Sequence, residues 1–249
     1  MSRGIVIRLL VLVLLMAFLV NPEAFASVFA PFTKNNQPPI YLQASLVWLT
    51  INHLALVAAA TAAATIVAVG LAILVTRPAG AEFLPLSRSL VNIGQTFPPV
   101  AVLAIAVPGL GEFGTKPTLI ALFLYGLLPI FENALSGLTT LPPAVTEAAR
   151  GMGMTDRQRL VLVELPLSVP VILAGIRLSA VIALSTATIG STVAASTLGE
   201  VIIAGLLSNN VAFILQGGLV VGILAVLIYD GLSGLERLLV ARTGQRRPA

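Results

Sequence analysis

The chain has 249 residues, of which 57% are hydrophobic and 10% charged, with a mean hydropathy of +1.02; soluble domains carry roughly 25% charged residues, so a water-soluble fold is excluded. The net charge of +4 comes from 14 basic residues scattered between apolar blocks, which argues against a nucleic-acid surface and for membrane topology. There is no cysteine to form a disulfide or thiolate site, and the single histidine, His53, lacks neighbouring metal ligands in the sequence.

The apolar blocks are long enough to cross about 30 Å of hydrocarbon as helices, without the every-second-residue alternation of a transmembrane barrel. The expected fold class is therefore an all-α integral membrane protein with five or six transmembrane helices. The first block, Ile5 to Val20, carries Arg3 and Arg8 at its start and spans about 24 Å as a helix, short for a crossing. Ala24-Phe25-Ala26 follows with a small-x-small pattern, so a retained helix and a cleaved signal peptide both fit. Residues 21–45, with Pro31, Asn35, Asn36, Pro38 and Pro39, read as an external loop.

The second span is Val47 to Val75, with Trp48 at the interface and Ala60, Ala64 and Ala68 forming a close-packing face. A third, Ser89 to Val107, is interrupted at Pro98 and Pro99; with Gln95 and Thr96 one turn earlier it fits either a pathway-lining break or a kinked packing helix. Gly109 to Lys116 reads as an external turn, and Pro117 to Leu135 as a fourth span containing Tyr125, Pro129, Glu132 and Asn133. Glu132 is a candidate for the pathway because it is ionisable within a span, although its place near the internal end also suits a headgroup or capping contact. A polar insertion, Ser136 to Ser168, precedes a fifth span, Val169 to Gly190, whose Arg177 faces the interior or snorkels and whose Ser185, Thr186 and Thr188 give a polar side. Residues 191–210 predict a short external interfacial or re-entrant helix around Val201 to Leu207. The last span, Val211 to Tyr229, carries Gly218 and Gly222 as a small-xxx-small pair, and Asp230 and Glu236 to Arg247 form a charged tail.

Basic residues orient these spans. Arg3, Arg8, Arg77, Arg88, Arg150, Arg157, Arg159, Arg237, Arg242, Arg246 and Arg247 fall on one side, against Lys34 and Lys116 on the other. That places both termini in the cytoplasm.

The internal insertion reads Leu141-Pro-Pro-Ala-Val-Thr-Glu-Ala-Ala-Arg-Gly-Met-Gly-Met and ends in Val163-Glu-Leu-Pro166. Pro142 and Pro143 are placed to start a helix, Glu147 to complement the dipole of its first turns, and Gly151 and Gly153 to make a tight turn. Glu147, Ala148, Ala149, Gly153, Val163, Leu165 and Pro166 at these separations resemble the E-A-A motif of type I ATP-driven importer permeases, with Val163 where isoleucine is usual. Gly94-Gln-Thr-Phe-Pro-Pro, Leu124 to Asn133, Leu173-Ala-Gly-Ile-Arg177 and Ile189-Gly-Ser-Thr-Val193 are similar to the osmoprotectant branch of that family.

The resemblance implies a type I importer (MetI-like) permease fold in the bacterial inner membrane: an N-terminal helix and periplasmic loop over 1–45, the permease domain over 46–235 with its coupling loop at 136–168, and a cytoplasmic tail over 236–249. It implies that Glu147, Ala148, Ala149, Gly151, Gly153, Leu165 and Pro166 couple the chain to a separate cytoplasmic ATPase, which uses ATP and Mg. The chain itself then binds no cofactor or metal and is not an enzyme. Further implied partners are a second permease subunit, a periplasmic binding protein and membrane lipid, with no nucleic acid. The implied solute is glycine betaine, choline or a relative, with another small polar solute such as an amino acid as the alternative; Gln95, Thr96, Pro98, Pro99, Glu132, Asn133, Ser185 and Thr188 are the candidate pathway residues. An ion-coupled carrier is disfavoured because no repeated halves are visible. A serine protease pairing Ser191 with His53 has no supporting spacing, and Thr115-Lys116-Pro117 breaks a Walker-like glycine pattern.

Overall fold

A computed structural model describes residues 3–242. Among them every regular element is helical: α1 (Arg3–Val20), α2 (Ala26–Phe29), α3 (Leu46–Val75), α4 (Leu84–Thr96), α5 (Pro99–Leu110), α6 (Thr115–Thr139), α7 (Pro143–Gly151), α8 (Asp156–Arg159), α9 (Leu165–Ala187), α10 (Gly199–Leu207) and α11 (Val211–Arg242). Four continuous helices are long and apolar enough to cross a membrane, namely α3, α6, the run Asp156–Ala187 and the run Val211–Val240. Two bent pairs, Gly4–Val20 with Pro22–Phe32 and Ala81–Thr96 with Pro99–Leu110, raise the number to as many as six. The described residues form two compact units, one within Met1–Ala60, Pro98–Leu122 and Ala183–Ile228, the other within Thr61–Phe97, Phe123–Ile182 and Tyr229–Ala249.

The first unit is organised around buried hydrogen bonds. His53 on α3 uses both ring nitrogens: the Leu198 N–H donates to Nδ1 at 3.3 Å, so Nε2 carries the proton and donates to the Leu184 carbonyl at 3.1 Å. Its role is to tie α3 to the end of α9 and the start of α10. Ser191 is likewise occupied, with its hydroxyl bonded to the Ala195 carbonyl and to Thr197 Oγ1. Phe18 packs against Phe25 and Phe29, with ring centroids 5.4 and 5.5 Å apart, and this seats the end of α1 in the core.

In the second unit, Ala64, Ala68 and Ala72 present a fully buried small-residue face of α3, while Ile66 and Val67 are exposed on the same helix. Pro129 inside α6 has no N–H, which orphans the Tyr125 carbonyl one turn earlier. Gln95 Nε2 donates to that carbonyl at 3.0 Å, and the Tyr125 hydroxyl in turn donates to the Phe97 carbonyl just past the end of α4. Arg177 is neither snorkelling nor free: it pairs with Glu236 at 2.6 Å, donates to Ser233 at 2.8 Å and lies 4.7 Å from the Tyr229 ring centre.

Several expected boundaries shift. Part of the predicted loop 21–45 is helical, because Pro22–Phe32 coils into short turns bent 114° from α1. The third span is interrupted where the sequence places the break: α4 and α5 are separate helices joined through extended residues Phe97 and Pro98. The fourth span runs four residues further, to Thr139, and the fifth starts at Asp156 rather than Val169, so the polar insertion predicted over 136–168 shrinks to residues 140–155. At the start of the fifth span hydropathy misplaces the boundary because its charged residues are paired, Glu164 with Arg77 and Arg159. The predicted tail from Glu236 is helical as far as Arg242 for the same reason; its remainder, with Arg246 and Arg247, lies outside the described residues. The short helix expected within 191–210 is α10, of nine residues.

Gly199 opens α10 where a Cβ would sit 1.8 Å from the Thr188 carbonyl oxygen, a backbone atom that cannot move aside, whereas a Cβ at Gly218 meets nothing within 4 Å. Gly199→Ala is expected to cost about 1–3 kcal/mol by overpacking, and Gly218→Ala nothing measurable. Thermal unfolding of the two purified variants in detergent checks the contrast; equal midpoints would contradict it.

Candidate functional site

Only Thr140, Leu141 and Pro142 separate α6 from α7. Pro143 occupies the first helical position, where its missing N–H is not needed, and the Pro142 carbonyl receives the Val145 N–H at 3.0 Å. At the other end the Met154 N–H reaches the Ala149 carbonyl at 3.1 Å and the Gly153 N–H reaches the Arg150 carbonyl at 2.9 Å. With Gly153 at φ +78°, this is a Schellman stop. The motif thereby acquires a local logic: Ala149 supplies the terminal carbonyl, and Gly153 supplies the left-handed residue that lets its own N–H and the next turn inward. Gly151 is the last helical residue and has no positive φ, so the tight turn expected of both glycines rests on Gly153 alone.

Ala149 is the buried member of the motif, whereas Glu147, Ala148 and Gly151 are exposed. Glu147 is the fifth residue of α7, beyond the first turn in which a dipole contribution is appreciable. It has no hydrogen bond or ion pair among the described residues. The dipole role expected from the sequence therefore does not account for it, and α7 presents an unpaired carboxylate beside small residues.

Beyond Gly153 the chain re-enters a helix through a capping box, in which the Thr155 N–H donates to Gln158 Oε1 at 2.9 Å and the Gln158 N–H to Thr155 Oγ1 at 3.3 Å. One wide π turn, Leu160–Glu164, follows. It lies directly ahead of Pro166, whose ring removes the bond to the Leu162 carbonyl, a setting in which a π turn relieves the clash. Leu165 and Pro166 consequently belong to the span, not to the exposed loop. Glu164, 5% exposed, receives Arg159 Nε at 2.7 Å and Arg77 Nη2 at 2.6 Å, and Arg159 also pairs with Asp156 at 3.0 Å. This charge cluster joins the base of the fifth span to the end of α3. In the sequence Arg77 and Arg159 stand only as topology markers; the signal for the cluster is the carboxylate inside the apolar run Leu160-Val-Leu-Val-Glu-Leu165.

The candidate pathway residues have varied surroundings. In the second unit Gln95 serves the Tyr125 carbonyl, Thr96 bonds back to the Ile93 carbonyl, Asn133 to the Pro129 carbonyl, and Glu132 pairs with Arg88 at 3.1 Å. In the first, Thr188 bonds to the Ser185 carbonyl at 2.7 Å, and Pro98 and Pro99 cap and open α5. Gln95, Thr96, Pro98 and Ser185 are exposed.

The family model for the binding-protein-dependent transport system inner membrane component matches residues 68–245, which include the whole loop. The chain belongs to this family. It is a multi-pass inner-membrane permease subunit of an ATP-driven importer. Among similar proteins, the permease is 38% identical over 201 residues to the osmoprotectant import permease protein OsmY of Salmonella typhimurium, covering 81% of this chain and 85% of that one. It is 43% identical over 188 residues to the carnitine transport permease protein OpuCB of Listeria monocytogenes, with 75% and 84% covered. It is 37% identical over 202 residues to the choline transport system permease protein OpuBB of Bacillus subtilis, with 81% and 91% covered. Its fold matches a solved inward-facing conformation of the MetNI methionine ABC transporter with a TM-score of 0.70 at 22% identity, covering 78% of this chain and 95% of that one.

Glu164→Gln would leave Arg77 and the buried Arg159 without their shared counter-charge. A loss of about 3 kcal/mol is expected, read as a lowered unfolding midpoint of the purified permease, and Glu164→Asp should recover part of it. An unchanged midpoint in the glutamine variant would show that the cluster is not structural.

Proposed function

We propose that the permease carries glycine betaine, choline, carnitine or a related osmoprotectant across the inner membrane, driven by a separate cytoplasmic ATPase that docks on α7. The solute class comes from the relatives at 37–43% identity, whose names specify osmoprotectant, carnitine and choline transport. The methionine and amino-acid transporters share the fold at 17–22% identity and carry no weight for the solute. ATP and Mg belong to the ATPase, a second permease completes the pathway, and a periplasmic binding protein delivers the solute.

The observation that carries the coupling assignment is α7 itself: a nine-residue helix, stopped at Gly153, that exposes Glu147 and Ala148 with no internal partner for the carboxylate. Small side chains admit a close approach by a partner groove, and the carboxylate supplies a directional contact. The surplus of basic residues on the loops flanking α3–α4 and α6–α9 supports a cytoplasmic loop and cytoplasmic termini.

In membranes containing the whole transporter, Glu147→Lys combined with Gly153→Val should lower uptake and solute-stimulated ATP hydrolysis at least about tenfold, the scale of losing one good charged contact plus the helix stop, while the amount of inserted permease stays unchanged. Full uptake by the inserted double variant would remove α7 from coupling. Because the chain has no cysteine, orientation is directly testable: a cysteine at Lys34 should react with an impermeant maleimide in intact cells and one at Gly151 only after permeabilisation. The reverse pattern would invert the topology.

A further inference from the structure

The carboxylates of this chain are mostly accounted for. Glu112, Glu132, Asp156, Glu164 and Glu236 are ion-paired, and Glu23, Glu82 and Glu147 are exposed. Glu200 differs. It is half-buried in the first turn of α10, and no cation lies within pairing distance of it among the described residues. Its Oε1 accepts a 2.8 Å hydrogen bond from the hydroxyl of Tyr41, and its Oε2 takes none.

Tyr41 is held firmly. It is 1% exposed, its ring meets Phe213 edge-on at 5.4 Å, and its N–H donates to Gln216 Oε1 at 3.1 Å. Gln216 Nε2 in turn donates to the Pro39 carbonyl at 2.7 Å, Asn210 Nδ2 to the Pro38 carbonyl at 2.9 Å and Gln37 Nε2 to the Ser208 carbonyl at 2.7 Å. The segment 37–41 is thus strapped to the chain around α10 and the start of α11. Burial first, and then the hydrogen bond and charge of Glu200, push the Tyr41 hydroxyl above its ordinary value, so it remains a protonated donor.

Tyr41 and Glu200 face a cleft of about 440 Å³, within the roughly 300–1,000 Å³ range of small-molecule sites. Gln43, Ser191 and Ser208 add polar groups, and Ile203, Ala204 and Leu207 form an apolar wall. One negative charge without a counter-charge, beside an apolar wall, suits a monovalent organic cation whose charge is spread over methyl or methylene groups. It does not suit a divalent metal, which needs about six to eight oxygen ligands and usually several carboxylates.

We infer that this cleft, on the periplasmic side in the topology proposed above, binds the ammonium group of the solute as it enters the permease, with Glu200 as the charge partner and Tyr41 as its positioning residue. The inference rests on the proposed ammonium solute. It adds a recognition site on the permease itself, upstream of the membrane pathway and distinct from α7.

The test uses the full-length permease with its ATPase partner in lipid nanodiscs, without binding protein, and measures equilibrium binding of radiolabelled choline. Saturable binding is expected in the native protein, weakened about tenfold or more in Glu200→Gln, less in Tyr41→Phe, and largely retained in Glu200→Asp. The uncharged isostere 3,3-dimethylbutan-1-ol should fail to compete. Absence of choline binding by the native complex, equal binding by Glu200→Gln, or competition by the isostere would each overturn the site. So would a Glu200→Gln variant that binds choline normally but associates poorly with the binding protein, since Glu200 would then be a protein-docking contact. The solute reading is judged separately by uptake: a native transporter that imports none of choline, carnitine and glycine betaine refutes that reading, whatever Glu200 binds.

Discussion

In hydrocarbon an orphaned backbone carbonyl costs several kcal/mol, because no water is present to satisfy it. This chain nevertheless places Pro108, Pro129 and Pro170 inside helices and breaks a helix pair at Pro98. Polar side chains serve the carbonyls left open at these breaks and at helix ends. Gln95 serves the Tyr125 carbonyl freed by Pro129, Tyr125 serves Phe97 at the break, and Ser168 and His53 serve Gly137 and Leu184 in the last turns of α6 and α9. Each donor is fixed to one acceptor, so the irregular backbone is held in a single arrangement rather than left to fluctuate. Gln95, Thr96, Asn133 and Thr188 are thus structural first, and any of them that also lines a pathway does so with a hydrogen bond already committed.

Charge follows the same economy. Arg177 with Glu236, Arg88 with Glu132, and Arg77 and Arg159 with Glu164 each neutralise an ion that would otherwise be stranded near apolar surface. These pairs let helices continue through sequence that looks like loop, as at Glu164 and Glu236. Among the described residues Glu147, on an exposed loop helix, and the half-buried Glu200, in a cleft, have no such cation; of these two, Glu200 is the one that is not solvent-exposed.

The sequence was legible where a feature repeats or is local. Hydropathy located the four long spans, the alanines at four-residue spacing marked the buried face of α3, and the proline start and glycine stop of α7 could be read letter by letter. It was illegible where one residue answers another far along the chain. The fifth span starts earlier and the last helix runs further because Glu164 and Glu236 are neutralised by arginines 87 and 59 residues away, and no periodicity announces such a partner. The sequence leaves Gln95 open between lining a pathway and packing a kink, because its acceptor, orphaned by Pro129, lies 30 residues on. The loop that carries α7 is legible from a motif whose letters are close together; the Tyr41 and Glu200 pair, 159 residues apart, is not.

The placement of Gly153 and Glu164 bears on how motion at the loop would reach the membrane. From Asp156 to Ala187 the helix is unbroken apart from one π turn, and that turn is clamped by the Glu164 cluster to the end of α3. A rigid helix transmits displacement along its axis, whereas a segment with free dihedral angles absorbs it. The residues between α7 and this helix, Met152 to Thr155, are themselves fixed at both ends, by the Schellman bonds and by the capping box. Little slack is left between the exposed α7 and two membrane-spanning helices. On the coupling role proposed for α7, Glu164 has a second consequence besides stability: by joining the two helix bases it would make them respond together to a push on that helix.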